Sequence, residues 1–367
     1  MSVAARRSPS RVHTLLAEAR HRTDGVIAPL LQRVDPAAAS VLAYQWGWRD
    51  AEGSPVAEGG RGKTVRAALV FAAARAAGGA PGAERDPLVR AGAAAVEMLH
   101  ALSLLHDDVM DKDEVRRGRP AAWRVFGVDA VECAVRALTP HALELGFLDA
   151  LRLPGSAADP GRLRKLRASA RVTGLLGDAL VRLAQGQALD LALEDEACPE
   201  VGATLRVHAD KTGSLFACAC ALGAAPDAAG DLAAFGEHLG IAFQIVDDVL
   251  GLWGDPAVTG KPAGADLAAR KKSHPVAVAL AEDETLPEKA VTGRLRELYA
   301  MPGPWTPSQT GEARRLLDRS GARAVSEAAA RTHERTALDA LARVCPPSQE
   351  AGEDLRDLAA FVIGRTH

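Results

Sequence analysis

Residues 96–111, VEMLHALSLLHDDVMD, decide the fold class of this 367-residue chain and introduce its chemistry. Apolar residues recur along this stretch at steps of three, as in Val96, Leu99 and Leu102. Pro87, a residue suited to the first turn of a helix, precedes it. The pattern predicts a helix from about Pro87 to Asp111 that ends in carboxylates.

The carboxylates at this helix end predict a cation site. Asp107 and Asp111 are four residues apart and share one helix face, which His100 and Ser103 extend toward the helix start. Two like charges at this spacing destabilise a bare helix. Oxygen ligands without thiolates, with Asp108 beside them, suit a hard cation that also binds phosphate oxygens and water. The alternative is a solvated acidic helix end.

A second acidic helix end lies downstream. The apolar positions that predict its helix step by three and four residues: Leu232, Phe235, Leu239, Phe243, Val246 and Leu250. Asp247 and Asp248 follow, with Gln244 one turn before Asp248. The next segment carries basic residues, among them Lys261 and Lys271. A polyphosphate could be bound by Mg²⁺ on its carboxylate side and by Lys and Arg on the other.

Two further basic elements are weaker signals. The segment Gly62–Lys63–Thr64–Val65–Arg66 opens a helix with Lys63 and Arg66 three residues apart, a geometry that suits an anion. It lacks the spacing of a P-loop, and no strand precedes it. Lys211 and Thr212, in HADKTGSLFACA, are similarly weak on their own.

Composition excludes several classes of protein. Apolar residues make up 48% of the chain but aromatic residues only 4%, which favours closely packed helices. A net charge of -3 gives no global basic field, so no nucleic-acid partner is expected. The five cysteines form no CxxC pair, which argues against a disulfide framework or a zinc site. Without an uncharged apolar stretch of about 18 residues, we expect a cytoplasmic protein with no membrane span.

Strand signals are scarce, and no segment has the length of a flexible interdomain linker. We therefore expect a disordered tail over residues 1–12 and a single all-α domain over residues 13–367. The cysteines at 218 and 220 are expected to be small core residues.

Seven motifs in order resemble the trans-isoprenyl diphosphate synthase family, and they cover the chain from about residue 25 to 345. They are GKTVR (62–66), VEMLHALSLLHDDVMD (96–111), RRGRP (116–120), GQALD (186–190), KTGSLF (211–216), FGEHLGIAFQIVDD (235–248) and TGKPAGADLAARKKSHP (259–275). The segment DDVLGLWGDP is most similar to the actinobacterial branch, which includes geranylgeranyl diphosphate synthases. The resemblance implies the all-α isoprenoid synthase fold, a helical bundle around a deep central cavity, in a homodimer. It also implies condensation of isopentenyl diphosphate with an allylic diphosphate.

The resemblance assigns roles residue by residue. Two Mg²⁺ ions would be bound by Asp107 and Asp111 and a third by Asp247, while Asp108 and Asp248 belong to the same catalytic motifs. The allylic diphosphate would be bound by Arg116, Lys211 and Lys271, with Lys261 closing over it. The diphosphate of isopentenyl diphosphate would be bound by Lys63, Arg66, His100 and Arg117. The developing carbocation would face Thr212 and Gln244.

Two departures from the family pattern are visible. The second acidic motif usually has a third carboxylate where this chain has Gly251, so the third ion would depend on Asp247 and water. Residues 121–145 carry Arg136 and Pro140 where apolar helix formers are usual. We therefore expect a kinked or altered helix there, with Arg136 not simply exposed on the surface.

Product length is predicted from the residues before the first acidic motif. Leu102 and Ser103 lie roughly 6–8 Å below Asp107 along the helix, where a growing tail would pass. Because neither is aromatic, the resemblance implies a product longer than the fifteen-carbon one, and we expect geranylgeranyl diphosphate. The alternative is that residues of another helix determine the length.

Two other functions stay open at this point. A terpene cyclase on the same fold would ionise a preformed prenyl diphosphate, and a non-catalytic subunit would serve as a partner or cargo of a larger assembly. The scarcity of aromatic side chains, which can stabilise cations, favours elongation over cyclisation.

Overall fold

The computed structural model describes residues 9–56, 62–77, 79–147, 159–254, 265–281 and 289–364. The only strands in these ranges are β1 (Val115–Arg116) and β2 (Arg119–Pro120), which form a small antiparallel hairpin. The all-α prediction is therefore confirmed. The α-helices are α1 (Pro9–Leu31), α2 (Pro36–Gln45), α3 (Val65–Ala77), α4 (Pro87–Met110), α5 (Ala122–Phe126), α6 (Val128–Glu144), α7 (Pro160–Glu194), α8 (Val201–Val207), α9 (Ser214–Gly223), α10 (Ala229–Trp253), α11 (Ala265–Ala268), α12 (His274–Leu280), α13 (Lys289–Ala300), α14 (Pro307–Arg319), α15 (Ala322–Val344) and α16 (Glu353–Ile363).

Shorter helical segments complete the described chain. Two 3₁₀ turns span Ala83–Arg85 and Glu350–Gly352, and a π-helical segment, His208–Gly213, connects α8 directly to α9. Helix α1 begins at Pro9, inside the segment predicted as a tail, and Val12 is buried in it.

Helix α4 forms as its sequence predicts. Asp86 caps its start by accepting a hydrogen bond from the backbone N–H of Leu88 at 2.8 Å, and Pro87 occupies the first turn. By length and composition alone this helix could cross a membrane. However, 67% of its apolar window is buried within the protein, as in the core helix of a soluble protein.

Tertiary contacts group the chain into two compact units. The first unit comprises Met1–Leu180, Cys218–Ala233 and Val344–Leu358. The second unit comprises Val181–Ala217, Ala234–Arg343 and Ala359–His367. The prediction of a single domain stays a prediction.

Alanine and glycine allow close packing in the first unit. Residues 67–74 of α3 are all buried, and five of these eight are alanine. A Cβ atom at Gly223 would lie only 2.8 Å from the backbone nitrogen of Ala74, so that position admits no side chain without a shift. The Ala-rich composition therefore reflects short distances between helix backbones. The buried cysteines at 218 and 220 confirm their predicted place in the core.

The core of the second unit consists mainly of branched aliphatic side chains. Its largest described cluster includes Leu252, Val276, Leu280, Leu295, Leu298 and Leu317. Burial of each leucine contributes about 1.5–3 kcal/mol relative to an exposed side chain. Helix α10, which carries the second acidic motif, places Leu252 in this cluster.

The prediction that Arg136 is not simply exposed on the surface is wrong, whereas the kinked or altered helix stays a prediction. Helix α6 runs without interruption from Val128 to Glu144 and contains Pro140. Arg136, expected not to be simply exposed, has a side chain that is 80% exposed and lies 4.0 Å from Glu132. The apolar face of α6 is supplied instead by Val131, Leu138 and nearby alanines, so Arg136 falls on the solvent side of the helix.

Candidate active site

The first acidic motif lies at the C-terminal end of α4 in the first unit. The backbone N–H of Asp111 donates a hydrogen bond to the carbonyl oxygen of Asp107 at 2.8 Å, so helical geometry persists through the motif. Asp111 is exposed and Asp107 is half-buried, whereas Asp108 is only 1% exposed. The motif therefore divides into accessible carboxylates at 107 and 111 and a buried one at 108.

The buried carboxylate holds an arginine. Arg116, in the β1–β2 hairpin, donates through Nε to Asp108 Oδ1 at 2.7 Å and through Nη2 to the same oxygen. Burial raises the pKa of Asp108, and the hydrogen bond from Arg116 opposes that rise. Burial also lowers the pKa of Arg116, but the bond to Asp108 outweighs it and the pKa is raised overall. Asp108 thus positions Arg116 instead of facing solvent.

The sequence contains a signal for this burial. Met98, Ala101, Leu105 and Asp108 step by three, four and three residues, which is the spacing of one helix face, and all four are buried. Asp108 continues the apolar face of α4, whereas Asp107 and Asp111 belong to another face. The pair DD therefore has two different environments on one helix turn.

A second group of charges surrounds His100. Burial, followed by the charges of Arg66, Arg117 and Arg116, lowers the pKa of His100 well below its ordinary value. The imidazole is consequently neutral at pH 7 among three guanidinium groups. A cluster with this charge suits an anionic ligand.

Glu97 is the acid of this cluster that sequence reasoning missed. Its side chain is 7% exposed and accepts a hydrogen bond at Oε1 from the backbone N–H of Ala67 at 3.0 Å, at the start of α3. Burial raises the pKa of Glu97, while the charge of Arg66 opposes the rise. The signal in the sequence is that Glu97 interrupts the apolar run from Ala91 to Leu99, all of which is buried, one turn before His100.

Backbone strain marks the two loops that bring Arg117 and Lys63 to the first unit's site. Arg117 and Gly118 have φ angles of 54° and 73° in the two-residue turn of the hairpin, as a type I′ turn requires. Thr64, a β-branched residue, has a φ angle of 55°, an unusual conformation that is often found at functional sites.

The two loops meet at Gly62. A Cβ atom at Gly62 would lie 2.8 Å from Nη2 of Arg117 and 3.0 Å from its Nη1. The guanidinium therefore packs against the bare α-carbon. Arg20 donates to the carbonyl oxygen of Gly62 at 3.0 Å and so helps to fix this turn.

The second acidic motif lies on α10 in the second unit. Asp247 is exposed, whereas Asp248 is 4% exposed and accepts hydrogen bonds from three groups. The donors are His208 Nε2 at 3.0 Å, the backbone N–H of His274 at 2.9 Å and Gln244 Nε2 at 3.3 Å. Helical spacing again contains the signal, since Ile241, Ile245, Asp248 and Leu252 are all buried at steps of four, three and four.

These hydrogen-bond partners lower the pKa of Asp248. Burial alone would raise its pKa, but the charge and hydrogen bond of His208, with Lys271 and the backbone N–H of His274, lower the pKa to about 2. The buried carboxylate is therefore ionised at neutral pH. His208 and His274 were not identified from the sequence, although His208 lies one helix turn before Thr212.

Thr212 and Gln244, predicted to face a carbocation, are brought together. Thr212 Oγ1 donates to Gln244 Oε1 at 2.9 Å. Lys211, on the same π-helical segment, lies 2.9 Å from Asp190 Oδ2. That contact links the GQALD and KTGSLF motifs, which lie 21 residues apart from Asp190 to Lys211.

Gly251 has a structural reason to lack a side chain. A Cβ atom at Gly251 would overlap the carboxylate of Asp266, whose Cγ lies 2.9 Å from that position. The carboxylate of Asp266 therefore occupies the space that a side chain at position 251 would need. Lys271 is exposed, and its backbone N–H donates to the carbonyl oxygen of Asp266 at 2.9 Å. Lys261 lies outside the described residues.

The residues predicted to determine product length lie on α4. Leu102 is 3% exposed, and Ser103 Oγ donates to the carbonyl oxygen of His100 at 2.9 Å.

Lys63, predicted to bind the diphosphate of isopentenyl diphosphate, is exposed at the start of the strained turn.

The accessible carboxylates fit Mg²⁺ by their chemistry. In the described part of the chain, no three His, Cys, Asp or Glu side chains form a group that could hold a metal ion. Mg²⁺ does not require one, because it is commonly bound by one or two carboxylates together with substrate phosphates and water. Asp107 and Asp111 supply such oxygens, and the buried Oδ2 of Asp108 has no hydrogen-bond partner among the described residues.

The described chain combines a helical fold with an acidic helix end in each unit and with local basic clusters. The sequence profile of the family described as Polyprenyl synthetase matches residues 56–300. This chain belongs to that family.

Individual relatives are similar to this chain over almost its whole length. A geranylgeranyl diphosphate synthase from Mycobacterium tuberculosis is 38% identical over 357 residues, covering 96% of this chain and 93% of that enzyme. A (2E,6E)-farnesyl diphosphate synthase from the same species is 34% identical over 364 residues, covering 98% and 95%. The crystal structure of a polyprenyl synthetase from Streptomyces coelicolor A3(2) is similar with a TM-score of 0.81 and 34% identity, covering 96% of this chain and 99% of that one.

Proposed function

We propose that this protein condenses isopentenyl diphosphate with an allylic diphosphate to give a longer trans-prenyl diphosphate. It is a prenyltransferase, in a family that is generally Mg²⁺-dependent. The observation that carries the proposal is the basic cluster of Arg66, Arg117 and the neutral His100, which lies in the same unit as the acidic motif of Asp107 and Asp111. Condensation uses two diphosphates, one bound through metal and one through cationic side chains. Cyclisation of a preformed substrate needs only the first.

In this proposal the accessible carboxylates bind the metal. Asp107 and Asp111 would hold two Mg²⁺ ions and Asp247 a third, and bound ions would supply positive charge that stabilises the departing diphosphate. Cationic side chains bind the same diphosphate: Arg116, Lys211, Lys271 and Lys261. Arg116 is suited to this role because its bond to Asp108 fixes the direction of the guanidinium.

The isopentenyl diphosphate is bound by side chains alone. Arg66, Arg117 and Lys63 supply positive charge, and His100 acts as a neutral hydrogen-bond donor because its pKa is lowered. Glu97 limits repulsion among the arginines, since its carboxylate acts on both Arg66 and Arg117.

The chemistry then needs no side-chain nucleophile. The allylic C–O bond breaks, the diphosphate leaves with the electron pair, and an allylic cation remains. Thr212 gives its only hydroxyl proton to Gln244, so the lone pairs of its oxygen are available to stabilise positive charge. The double bond of isopentenyl diphosphate attacks the cation, and the proton that is lost passes to the released diphosphate.

We further propose geranylgeranyl diphosphate as the product. Leu102 and Ser103 leave the end of α4 free of aromatic rings, which would stop a growing chain early. The geranylgeranyl diphosphate synthase from Mycobacterium tuberculosis also shares more identity with this chain than the farnesyl diphosphate synthase does. A cytoplasmic homodimer is the proposed working form, which light scattering of the purified protein would test.

The discriminating experiment measures release of inorganic diphosphate by the purified protein with Mg²⁺. We expect release when isopentenyl diphosphate is present with an allylic diphosphate, and none with geranylgeranyl diphosphate alone. A cyclic hydrocarbon formed from geranylgeranyl diphosphate alone would identify a cyclase. No turnover with any allylic substrate would favour a non-catalytic subunit.

A further inference from the structure

Two helical segments of the second unit approach each other at their backbones. The π-helical segment His208–Gly213 contacts α10 through glycines, since a Cβ atom at Gly240 would lie 2.7 Å from the α-carbon of Gly213. One turn earlier in α10, a Cβ atom at Gly236 would lie 2.7 Å from the carbonyl carbon of Phe216. Glycines four residues apart therefore let α10 lie directly against the other segment, as small residues do in close helix pairs.

This approach brings four polar side chains into one connected set, two from each segment. His208 and Thr212 lie four residues apart on the π-helical segment, and Gln244 and Asp248 lie four residues apart on α10. His208 Nε2 is 3.0 Å from Asp248 Oδ2, Gln244 Nε2 is 3.3 Å from Asp248 Oδ1, and Thr212 Oγ1 is 2.9 Å from Gln244 Oε1. A π-helical turn inside an α-helix is uncommon and is frequently found at functional sites.

The connections fix the direction of the hydrogen bonds that Gln244 makes. Asp248 Oδ2 accepts from the backbone N–H of His274, a group that can only donate, and lies 3.0 Å from His208 Nε2, while Gln244 turns its amide nitrogen toward Oδ1. The buried Nδ1 of His208 has no hydrogen-bond partner among the described residues, so the ring joins this set through Nε2. Because the amide nitrogen of Gln244 donates to Asp248, its amide oxygen faces Thr212 and accepts the hydroxyl proton.

We propose that Asp248 and His208 are positioning residues that orient Gln244, so that Gln244 withdraws the hydroxyl proton of Thr212 and leaves the Thr212 oxygen to face the allylic cation. This inference rests on the proposed function and assigns a role to the buried member of the second acidic motif. If the amide of Gln244 turned over, its nitrogen would donate to Thr212. The Thr212 hydroxyl would then be free to point its proton toward the cation, which would destabilise the transition state.

The first test changes His208 in two ways. His208→Leu removes the donor to Asp248, whereas His208→Gln keeps a side-chain N–H that can reach the same oxygen. We expect His208→Leu to lower kcat by about 10–100-fold with the KM of both diphosphates nearly unchanged, and His208→Gln to recover most of that loss. The matched control is His141→Leu, a histidine of the first unit whose Nδ1 lies 3.3 Å from Glu144 Oε2. It should leave kcat unchanged.

Equal losses of kcat in both leucine variants, in proportion to the fraction unfolded, would overturn the inference, as would failure of His208→Gln to recover activity. The second test needs no turnover. A double-mutant cycle of His208→Leu with Thr212→Val should give non-additive changes in urea unfolding, because the side chains share a network. Additive changes would refute the connection. Inactivity of the wild-type protein would instead refute the proposed function, and the unfolding cycle would still decide the connection.

Discussion

Adding one methyl group at Gly62 tests the proposed isopentenyl diphosphate site without altering any charge. In Gly62→Ala, the new Cβ atom would lie 2.8–3.1 Å from the guanidinium atoms of Arg117, whereas ordinary contacts are 3.4–4 Å. The guanidinium must therefore move by roughly 0.5–1 Å, and a misplacement of about 1 Å can cost as much as 10²-fold in activity. Gly62 does not have the left-handed φ that would make alanine strained there.

The expected result is specific to one substrate. Because the atoms that must shift are the far end of a flexible side chain, the free energy of unfolding should change by about 0.5 kcal/mol or less. We expect the KM for isopentenyl diphosphate to rise about tenfold, which corresponds to about 1.4 kcal/mol, while the KM for the allylic diphosphate stays near the wild-type value.

Steady-state kinetics with each substrate varied in turn provides the assay. Gly25→Ala is the matched control, because a Cβ atom there meets nothing within 4 Å. An unchanged KM for isopentenyl diphosphate in Gly62→Ala would refute the assignment of Arg117 to that substrate. A rise confined to the KM for the allylic diphosphate would instead assign Arg117 to the allylic diphosphate.

Three further predictions concern stability, pH and product length. Asp108→Asn should lower the free energy of unfolding in urea by about 2–3 kcal/mol. This is less than the loss for a fully buried ion pair, because the side chain of its partner Arg116 is 25% exposed. An unchanged free energy of unfolding would contradict a positioning role for Asp108. Burial, with the charge of a neighbouring histidine, lowers the pKa of His274 to about 4. Between pH 6.5 and 4, this histidine is therefore protonated in the unfolded chain but not in the folded one. Stability should therefore fall by up to about 3 kcal/mol as the pH falls through that window, and His274→Asn should flatten the fall in unfolding measurements; an equal slope would refute this. Leu102→Tyr should shorten the product seen by chromatography, at a cost of about 1–3 kcal/mol in stability for overpacking a buried position, and an unchanged product length would exclude Leu102 as a determinant.

The fold and the accessible carboxylates could be predicted because they follow from local spacing. Apolar steps of three and four determine α4 and α10, and Pro87 begins α4 as its sequence suggests. The same steps also separate the buried Asp108 and Asp248 from their accessible neighbours, although the motifs alone do not make that distinction.

The remaining features depend on contacts between distant residues. Gly62 lies against Arg117 although 55 positions separate them, and no local pattern predicts that contact. Asp266 fills the space beside Gly251 from beyond a glycine- and proline-rich segment. The exposure of Arg136 has a related reason, because the packing of Val131 and Leu138 determines which face of α6 is buried.

Product analysis with labelled isopentenyl diphosphate tests the central claim most directly. The purified protein is incubated with Mg²⁺ and with dimethylallyl, geranyl or farnesyl diphosphate in turn, and the labelled products are identified by mass spectrometry. We predict a linear trans-prenyl diphosphate, geranylgeranyl diphosphate, that forms only when Mg²⁺ and both substrates are present. Failure to incorporate label with every allylic substrate would contradict the assignment as a condensing prenyltransferase.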